Sequence, residues 1–253
     1  MYDSIRPPFG DGLAAGLALT GDGLAAGLAL TGGGLAAGLA LIFDMDGVLV
    51  NSNPVHRQAW ARFNLRYGLQ TTPAMLERMY GKRNDDIVRD FFGDGLSPEE
   101  VAARGAAKER LYRQMIDGRI EEILVPGVRR FLDLHARAPL AVASNAEPEN
   151  VRFVIDRARL GDYFRAVVDG HQASRPKPDP EIYLRAAALL GVPAPNCLVF
   201  EDSHSGVAAG MAAGMRVIGI RTTYDNLPGA SICVDNFKSG ELDSWLAAQA
   251  RAV

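Results

Sequence analysis

Leu39-Ala40-Leu41-Ile42-Phe43-Asp44-Met45-Asp46-Gly47-Val48 decides how this chain is read: an uncharged apolar run that stops on two carboxylates two residues apart. A short apolar run bounded by a turn signal fits a strand buried on both faces, as in a parallel sheet. Residues i and i+2 of an extended segment point the same way, and loops beyond the carboxyl ends of parallel strands form the usual ligand crevice. Asp44 and Asp46 are therefore candidates for phosphoryl-transfer chemistry, one attacking while the other moves protons. Two acids this close cannot both ionise cheaply, so the pair calls for a cation, Mg²⁺ by preference, or for one raised pKa. An Asp-Gly turn after a strand would give the same letters with no chemistry. The rest of the chain has to choose.

Further apolar runs at Pro139–Ser144, Ala166–Val168, Asn196–Glu201 and Arg216–Ile220 read as buried parallel strands, with Ile232–Val234 as an edge. Glu149–Ala158 and Pro180–Leu190 carry apolar residues at helical spacing, and Gly206–Ala213 is rich in Ala. Strands alternating with helices predict an α/β fold with a doubly wound, Rossmann-like parallel sheet. From Pro54 to Val125 the rhythm changes to amphipathic helices at His56–Tyr67, Pro73–Tyr80, Asp85–Phe92 and Pro98–Ile116. An α-helical insert directly after the first strand's loop would hang over the sheet's carboxyl end as a lid. The expected organisation is a low-complexity tail at 1–38, a catalytic core at 39–53 and 126–253, and a helical cap at 54–125.

At 253 residues and 48% hydrophobic, the chain can bury a full core without staples. Cys197 and Cys233 show no metal-type spacing, so a disulfide framework and a structural zinc site are not expected. A reducing cytoplasm fits this usage. A net charge of −3 and a pI near 5.8 argue against a nucleic-acid partner, so any anionic substrate must be held by a few local cations. No feature sets the oligomeric state, and a monomer suffices.

Residues 10–20 read GDGLAAGLALT, 21–31 repeat them, and 32–41 give GGGLAAGLAL. Eleven residues span about three helical turns, yet each Gly costs a helix roughly 1 kcal/mol, so a flexible tail is expected. The uncharged stretch from Gly23 to Phe43 is long enough to raise a membrane span or a signal peptide. The missing Lys/Arg-rich flank and the run's ending in Asp44 argue against both. The end of the third copy is expected to complete the first strand.

Three more polar clusters fall at or just past predicted strand ends: Ser144-Asn145, Lys177-Pro178-Asp179-Pro180 and Glu201-Asp202-Ser203. With Asp44-Met-Asp46-Gly-Val-Leu-Val they resemble, in order and spacing, the four motifs of the haloacid dehalogenase superfamily, from about Leu39 to Ile220. The branch most like this chain carries a helical cap after the first motif and includes β-phosphoglucomutase and many sugar-phosphate phosphatases. The resemblance implies that Asp44 is the nucleophile, carrying a transient aspartyl phosphate, and that Asp46 is the general acid and then the general base. It implies Mg²⁺ held by the Asp44 carboxylate, the Asp46 carbonyl and Asp202, with Glu201 nearby. It also implies phosphate binding by Ser144, the Asn145 backbone N–H and Lys177. A hydrolytic dehalogenase usually lacks the second Asp, which disfavours halide chemistry. Taken singly, each cluster is an ordinary turn, helix start or N-cap.

The substrate is less legible. Asn51 stands where relatives often carry an acid, and His56 either reaches the active site when the cap closes or packs beside Trp60. In Gly81-Lys82-Arg83-Asn84, Lys82 or Arg83 either binds a second anionic or hydroxyl-rich part of the substrate or is a solvated charge. Arg175 is a further candidate to face substrate, whereas His171 and His204 read as surface residues. The mutase loop of relatives, Lys-Gly followed by Ser-Arg, is not reproduced. A Mg²⁺-dependent phosphatase acting on a small phosphorylated metabolite, a sugar or polyol phosphate, is therefore preferred. The alternatives are a β-phosphoglucomutase-like isomerase and a non-catalytic binding or regulatory protein of the same fold.

Overall fold

The computed structural model describes residues 38–80 and 82–250. The expected tail, apart from Gly38, lies outside the described residues, and so do the first two copies of the repeat. The first strand, β1 (Ala40–Phe43), begins within the third copy, with Leu39 buried beside it.

After β1 come four helices, α1 (Asn53–Leu65), α2 (Pro73–Met79), α3 (Asn84–Phe92) and α4 (Pro98–Ile116). The chain continues with α5 (Val128–His135), β2 (Leu140–Ala143), α6 (Pro148–Arg157), β3 (Ala166–Val168) and α7 (Glu181–Leu190). Then follow β4 (Cys197–Glu201), α8 (His204–Ala212), β5 (Arg216–Ile220), β6 (Ile232–Val234) and α9 (Gly240–Ala250). The six strands form one sheet in the order β3-β2-β1-β4-β5-β6, with every pairing parallel. This is the doubly wound α/β architecture the alternating pattern predicts.

Strand alternation divides the core in two. Leu41 and Phe43 enter one apolar layer with Phe131 of α5, Val154 of α6 and Leu242 of α9. Ala40 and Ile42 face the other layer, with Ile182 and Tyr183 of α7 and Val207 of α8. Phe43 stacks on Phe200 at 4.6 Å, and Phe131 and Phe237 pack around the pair. The central strand is buried on both sides and runs directly into Asp44, which is itself 7% exposed.

The inserted helices α1–α4 hold a third apolar cluster built on Trp60, Phe63, Met75, Ile87, Val88, Phe91 and Val101. Helix α4 starts at a capping box: Glu100 N–H donates to Ser97 Oγ at 3.3 Å, and Ser97 N–H to Glu100 Oε2 at 2.8 Å. Ala59, Tyr112 and Ile116 reach from α1 and α4 into the core layer around Phe43, which seats the insert on the sheet. Two helices, α5 and α9, are absent from the sequence reading. Val128, Phe131 and Leu132, and then Leu242 and Leu246, are spaced three and four apart, but each set is brief. Among the described residues no helix is long and apolar enough to cross a membrane.

Candidate active site

The site forms where β1, β2 and β4 end side by side. Asp44 N–H donates to the Phe200 carbonyl at 3.0 Å, which ties the turn after β1 to β4. Gly47, at φ +80°, lets that turn double back under Asp202, and a Cβ there would lie 1.8 Å from Asp202 Oδ2. The left-handed backbone and the close approach both call for glycine. One cleft is lined by Asp44, Asp46, Ser144, Asn145, Lys177 and Asp202, and by Lys82, His56 and other side chains of the insert.

Lys177 organises the buried charges. Its Nζ donates to Asp44 Oδ1 at 2.7 Å, to Glu201 Oε1 at 2.6 Å and to the Ala143 carbonyl at 3.0 Å. Its backbone N–H donates to Asn145 Oδ1 at 3.3 Å, joining the Lys177 loop to the loop after β2. Burial opposes its charge, but the Asp44 and Glu201 carboxylates outweigh it and raise the Lys177 pKa. Carboxylate oxygens of Asp44, Glu201 and Asp202 come within 4.8 Å of one another. One ammonium cannot neutralise three acids. Burial pushes Asp44 up to about 7 against the pull of Lys177, and burial with Glu201 and Asp44 beside it holds Asp202 well above the usual carboxylate range.

Glu201 is the most heavily hydrogen-bonded acid of the cluster. Its Oε1 accepts from Lys177 Nζ and from the Tyr183 hydroxyl at 2.6 Å. Its Oε2 accepts from Asp202 N–H at 3.0 Å, Ser203 N–H at 3.1 Å and Ser203 Oγ at 3.0 Å. With these bonds and no room for a Cβ at Gly206, Glu201 holds Lys177 and the start of α8 while its carboxylate stays in the cluster with Asp44 and Asp202. Asp202 keeps an oxygen toward Asp44, and its Oδ2 accepts from Asn53 Nδ2 at 3.0 Å and from Thr223 Oγ1. The three acids outnumber the one Lys177 ammonium, and the hard carboxylate oxygens of Asp44 and Asp202 fit a divalent cation of the Mg²⁺ kind.

Asp46 is the more open of the paired acids. Its Oδ1 accepts from Ser52 Oγ at 2.5 Å and faces His56 Nε2 at 3.5 Å. His56 stacks on Tyr112 with ring centres 3.7 Å apart, and its Nδ1 lies 3.0 Å from Lys108 Nζ. An ammonium only donates, so Nδ1 accepts and the ring proton sits on Nε2, toward Asp46. His56 therefore both packs in the insert and reaches the site.

The other expected substrate contacts divide. Lys82 lines the cleft, and its ammonium has no partner among the described residues. Arg83 turns away: its guanidinium donates to the Ala173 carbonyl at 2.5 Å and the Ser174 carbonyl at 3.5 Å, strapping the insert to the loop before Lys177. Arg175 is 71% exposed at its side chain, paired with Asp179 at 2.9 Å and Glu181 at 3.7 Å, outside the cleft. Backbone carbonyls hold Arg83, and local carboxylates hold Arg175. Sequence reasoning passed over Asn53, Lys108, Glu109, Asn150 and Tyr183. A Lys108-Glu109 pair within an apolar helical face was the available signal, whereas nothing local marks Asn150 or Tyr183.

Residues 39–214 match the family model of the haloacid dehalogenase-like hydrolases, and the chain belongs to that enzyme family. It is similar to fructose-1-phosphate phosphatase YqaB of Escherichia coli K12, 31% identical over 182 residues, 72% of this chain and 95% of that one. It is 29% identical over 185 residues to β-phosphoglucomutase of Bacillus subtilis, covering 71% of this chain and 82% of that one. The crystal structure of β-phosphoglucomutase from Clostridium difficile superposes with a TM-score of 0.75 at 25% identity, over 85% of this chain and 99% of that one.

Proposed function

We propose that this protein is a Mg²⁺-dependent phosphatase that hydrolyses a small phosphorylated metabolite, a sugar or polyol phosphate, through an aspartyl phosphate on Asp44. The observation that carries this reading is that Asp44 and Asp46 open into one cleft with Ser144, Asn145, Lys177 and Asp202. Relatives named as a fructose-1-phosphate phosphatase and a phosphorylated carbohydrates phosphatase support the substrate class. In this reading residues 54–125 act as the cap over a core of 39–53 and 126–253. Cys197 and Cys233 are both free, in keeping with a reducing cytoplasm.

Asp44 and Asp202, with the Asp46 carbonyl, would hold Mg²⁺, whose charge offsets the repulsion between an anionic nucleophile and an anionic phosphate. Ser144 and Asn145 receive the phosphate oxygens, and Lys177, held by Glu201, keeps a positive charge beside them as the bond to phosphorus changes hands. An Asp44 oxygen attacks phosphorus and the bond to the alcohol oxygen breaks. Asp46, protonated, hands its proton to that leaving oxygen. Water then attacks the aspartyl phosphate, gives its proton to Asp46, and frees Asp44 as carboxylate and phosphate as product.

A phosphosugar mutase is the second reading, favoured by relatives that bear the β-phosphoglucomutase name and by the insert's His56 at Asp46. A mutase must hold a second phosphate while the sugar turns over, and the cleft offers Lys82 for it. One assay separates the two: a panel of phosphorylated metabolites with Mg²⁺, including β-glucose 1-phosphate with and without glucose 1,6-bisphosphate, followed for phosphate release and isomer formation. Phosphate release abolished by EDTA and by Asp44→Asn is the expected result. Bisphosphate-dependent isomer formation with little free phosphate would move the assignment to the mutase, and activity intact in Asp44→Asn would end both readings.

A further inference from the structure

We propose that Glu109 and Asn150 form a clasp between α4 and α6 that positions Asp46 for proton transfer, by locking Lys108 and His56 at a set distance from the phosphate-binding loop. The inference rests on the reading of Asp46 as general acid and base. Glu109 is 4% exposed and Lys108 1%, so two opposite charges are buried next to each other on one helix. A buried charge is tolerated only when its partners are well placed. Here every partner leads toward the site.

Glu109 Oε1 accepts from Lys108 Nζ at 2.6 Å, and Glu109 Oε2 accepts from Asn150 Nδ2 at 2.6 Å. Asn150 is held at its other end as well: its Oδ1 accepts from Arg113 Nη1 at 2.7 Å, and Arg113 Nη2 donates to Glu149 at 2.7 Å. Helix α6 begins at Pro148, immediately after the stretch 144–147 that lines the phosphate side of the cleft. The path thus runs from the phosphate loop through Asn150, Glu109 and Lys108 to His56 Nδ1, and from His56 Nε2 to Asp46 Oδ1. Burial works against the Glu109 charge, but the Lys108 ammonium beside it and the hydrogen bonds from Lys108 and Asn150 outweigh it and hold the carboxyl down at about 2, so it stays ionised wherever the enzyme would work.

The geometry assigns each link a job. Ionised Glu109 keeps Lys108 a donor aimed at His56 Nδ1. That fixes the His56 tautomer with its proton toward Asp46 Oδ1, where Ser52 also donates, and leaves Asp46 Oδ2 to exchange a proton with substrate. Glu109 and Asn150 border the same cleft, and the role assigned to them runs through Lys108 and His56, which makes them positioning residues.

General-acid assistance matters for a poor leaving group and is dispensable for a good one. The test compares kcat/KM, which reports the step that expels the alcohol, for the best alkyl phosphate of the metabolite panel and for p-nitrophenyl phosphate. Wild type, Glu109→Gln and Asn150→Ala are assayed as full chains with Mg²⁺. Gln keeps an acceptor for Asn150 but removes the charge that holds Lys108. The expected result is a 10- to 100-fold fall for the alkyl phosphate and less than threefold for p-nitrophenyl phosphate in Glu109→Gln. Asn150→Ala should show the same pattern with a smaller fall. Equal losses on both substrates, or no loss, in whichever variants retain the wild-type near-ultraviolet circular dichroism would overturn the clasp while leaving the phosphatase intact. A wild-type protein that turns over neither substrate would remove the phosphatase reading itself and the clasp with it.

Discussion

Replacing Gly47 with Ala tests whether the turn after β1 exists to bring Asp202 against Asp44. Two costs are readable. Gly47 sits at φ +80°, where an L-residue is strained by roughly 1–2 kcal/mol. The new Cβ would also stand 1.8 Å from Asp202 Oδ2 and 2.3 Å from its Cγ, so the carboxylate must retreat by about 1.2 Å to reach even a 3.0 Å contact. That retreat breaks the bonds that Oδ2 accepts from Asn53 and Thr223, each worth about 0.5–1.5 kcal/mol. The expected loss is about 2–5 kcal/mol in urea unfolding, with the Mg²⁺ concentration for half-maximal phosphate release raised at least about tenfold, since an acidic metal oxygen has moved. Gly191→Ala is the control: its φ is +68°, but nothing lies within 4 Å of the added Cβ, at the end of α7. It should lose about 1–2 kcal/mol from the same strain and keep wild-type turnover and Mg²⁺ dependence. If Gly47→Ala matches Gly191→Ala in all three measurements, the close approach of Gly47 and Asp202 has no part in building the site.

Metal removal should reverse the usual dependence of stability on pH. Folded Asp44 keeps its proton to about 7 while an unfolded Asp releases it near 3.8, so between those values the folded state binds more protons and stability falls as pH rises. Asp202, raised by burial and its acidic neighbours, acts in the same direction, and Glu109, held at about 2, acts below this window. In EDTA, urea unfolding should show a decline of about 3 kcal/mol from Asp44 between pH 4.5 and 7.5, which saturating Mg²⁺ flattens; a rise with pH in EDTA would contradict the assigned carboxyls. Arg83→Ala should loosen the loop before Lys177, because the insert then loses its bonds to the Ala173 and Ser174 carbonyls. A charge-assisted hydrogen bond of about 1.5 kcal/mol corresponds to roughly tenfold faster hydrogen exchange at the Ser174 and Arg175 amides. Unchanged exchange there would mean that Glu181, which accepts from both amides, holds the loop unaided.

The strands were legible because burial on both faces leaves a local mark, a short uncharged run that ends in a polar turn. Ala166–Val168, Arg216–Ile220 and Ile232–Val234 stand where the apolar pattern puts them, and the others differ by a residue or two at their ends. Helices α5 and α9 left too short a pattern to be noticed. Candidate residues were legible for a related reason: in a parallel sheet the strand ends converge, so polar clusters that follow separate apolar runs are brought together by the topology. Asp44, Ser144, Lys177 and Asp202 needed no tertiary information to be singled out. Which hydrogen bonds each group makes did need it. Nothing local shows that Glu201, beside Asp202, also receives Lys177, 24 residues away, and Tyr183, 18 away, on its Oε1. Arg83 and Arg175 read alike as cations near a substrate loop, yet one meets backbone carbonyls 90 residues on and the other only its own neighbours. Sequence alone determined the α/β fold, the order of the motifs and the acids at the end of β1, because these depend on periodicity and chain order. The tertiary structure alone decided which charges are spent on one another and which remain for a metal or a substrate, because that depends on distances between side chains far apart along the chain.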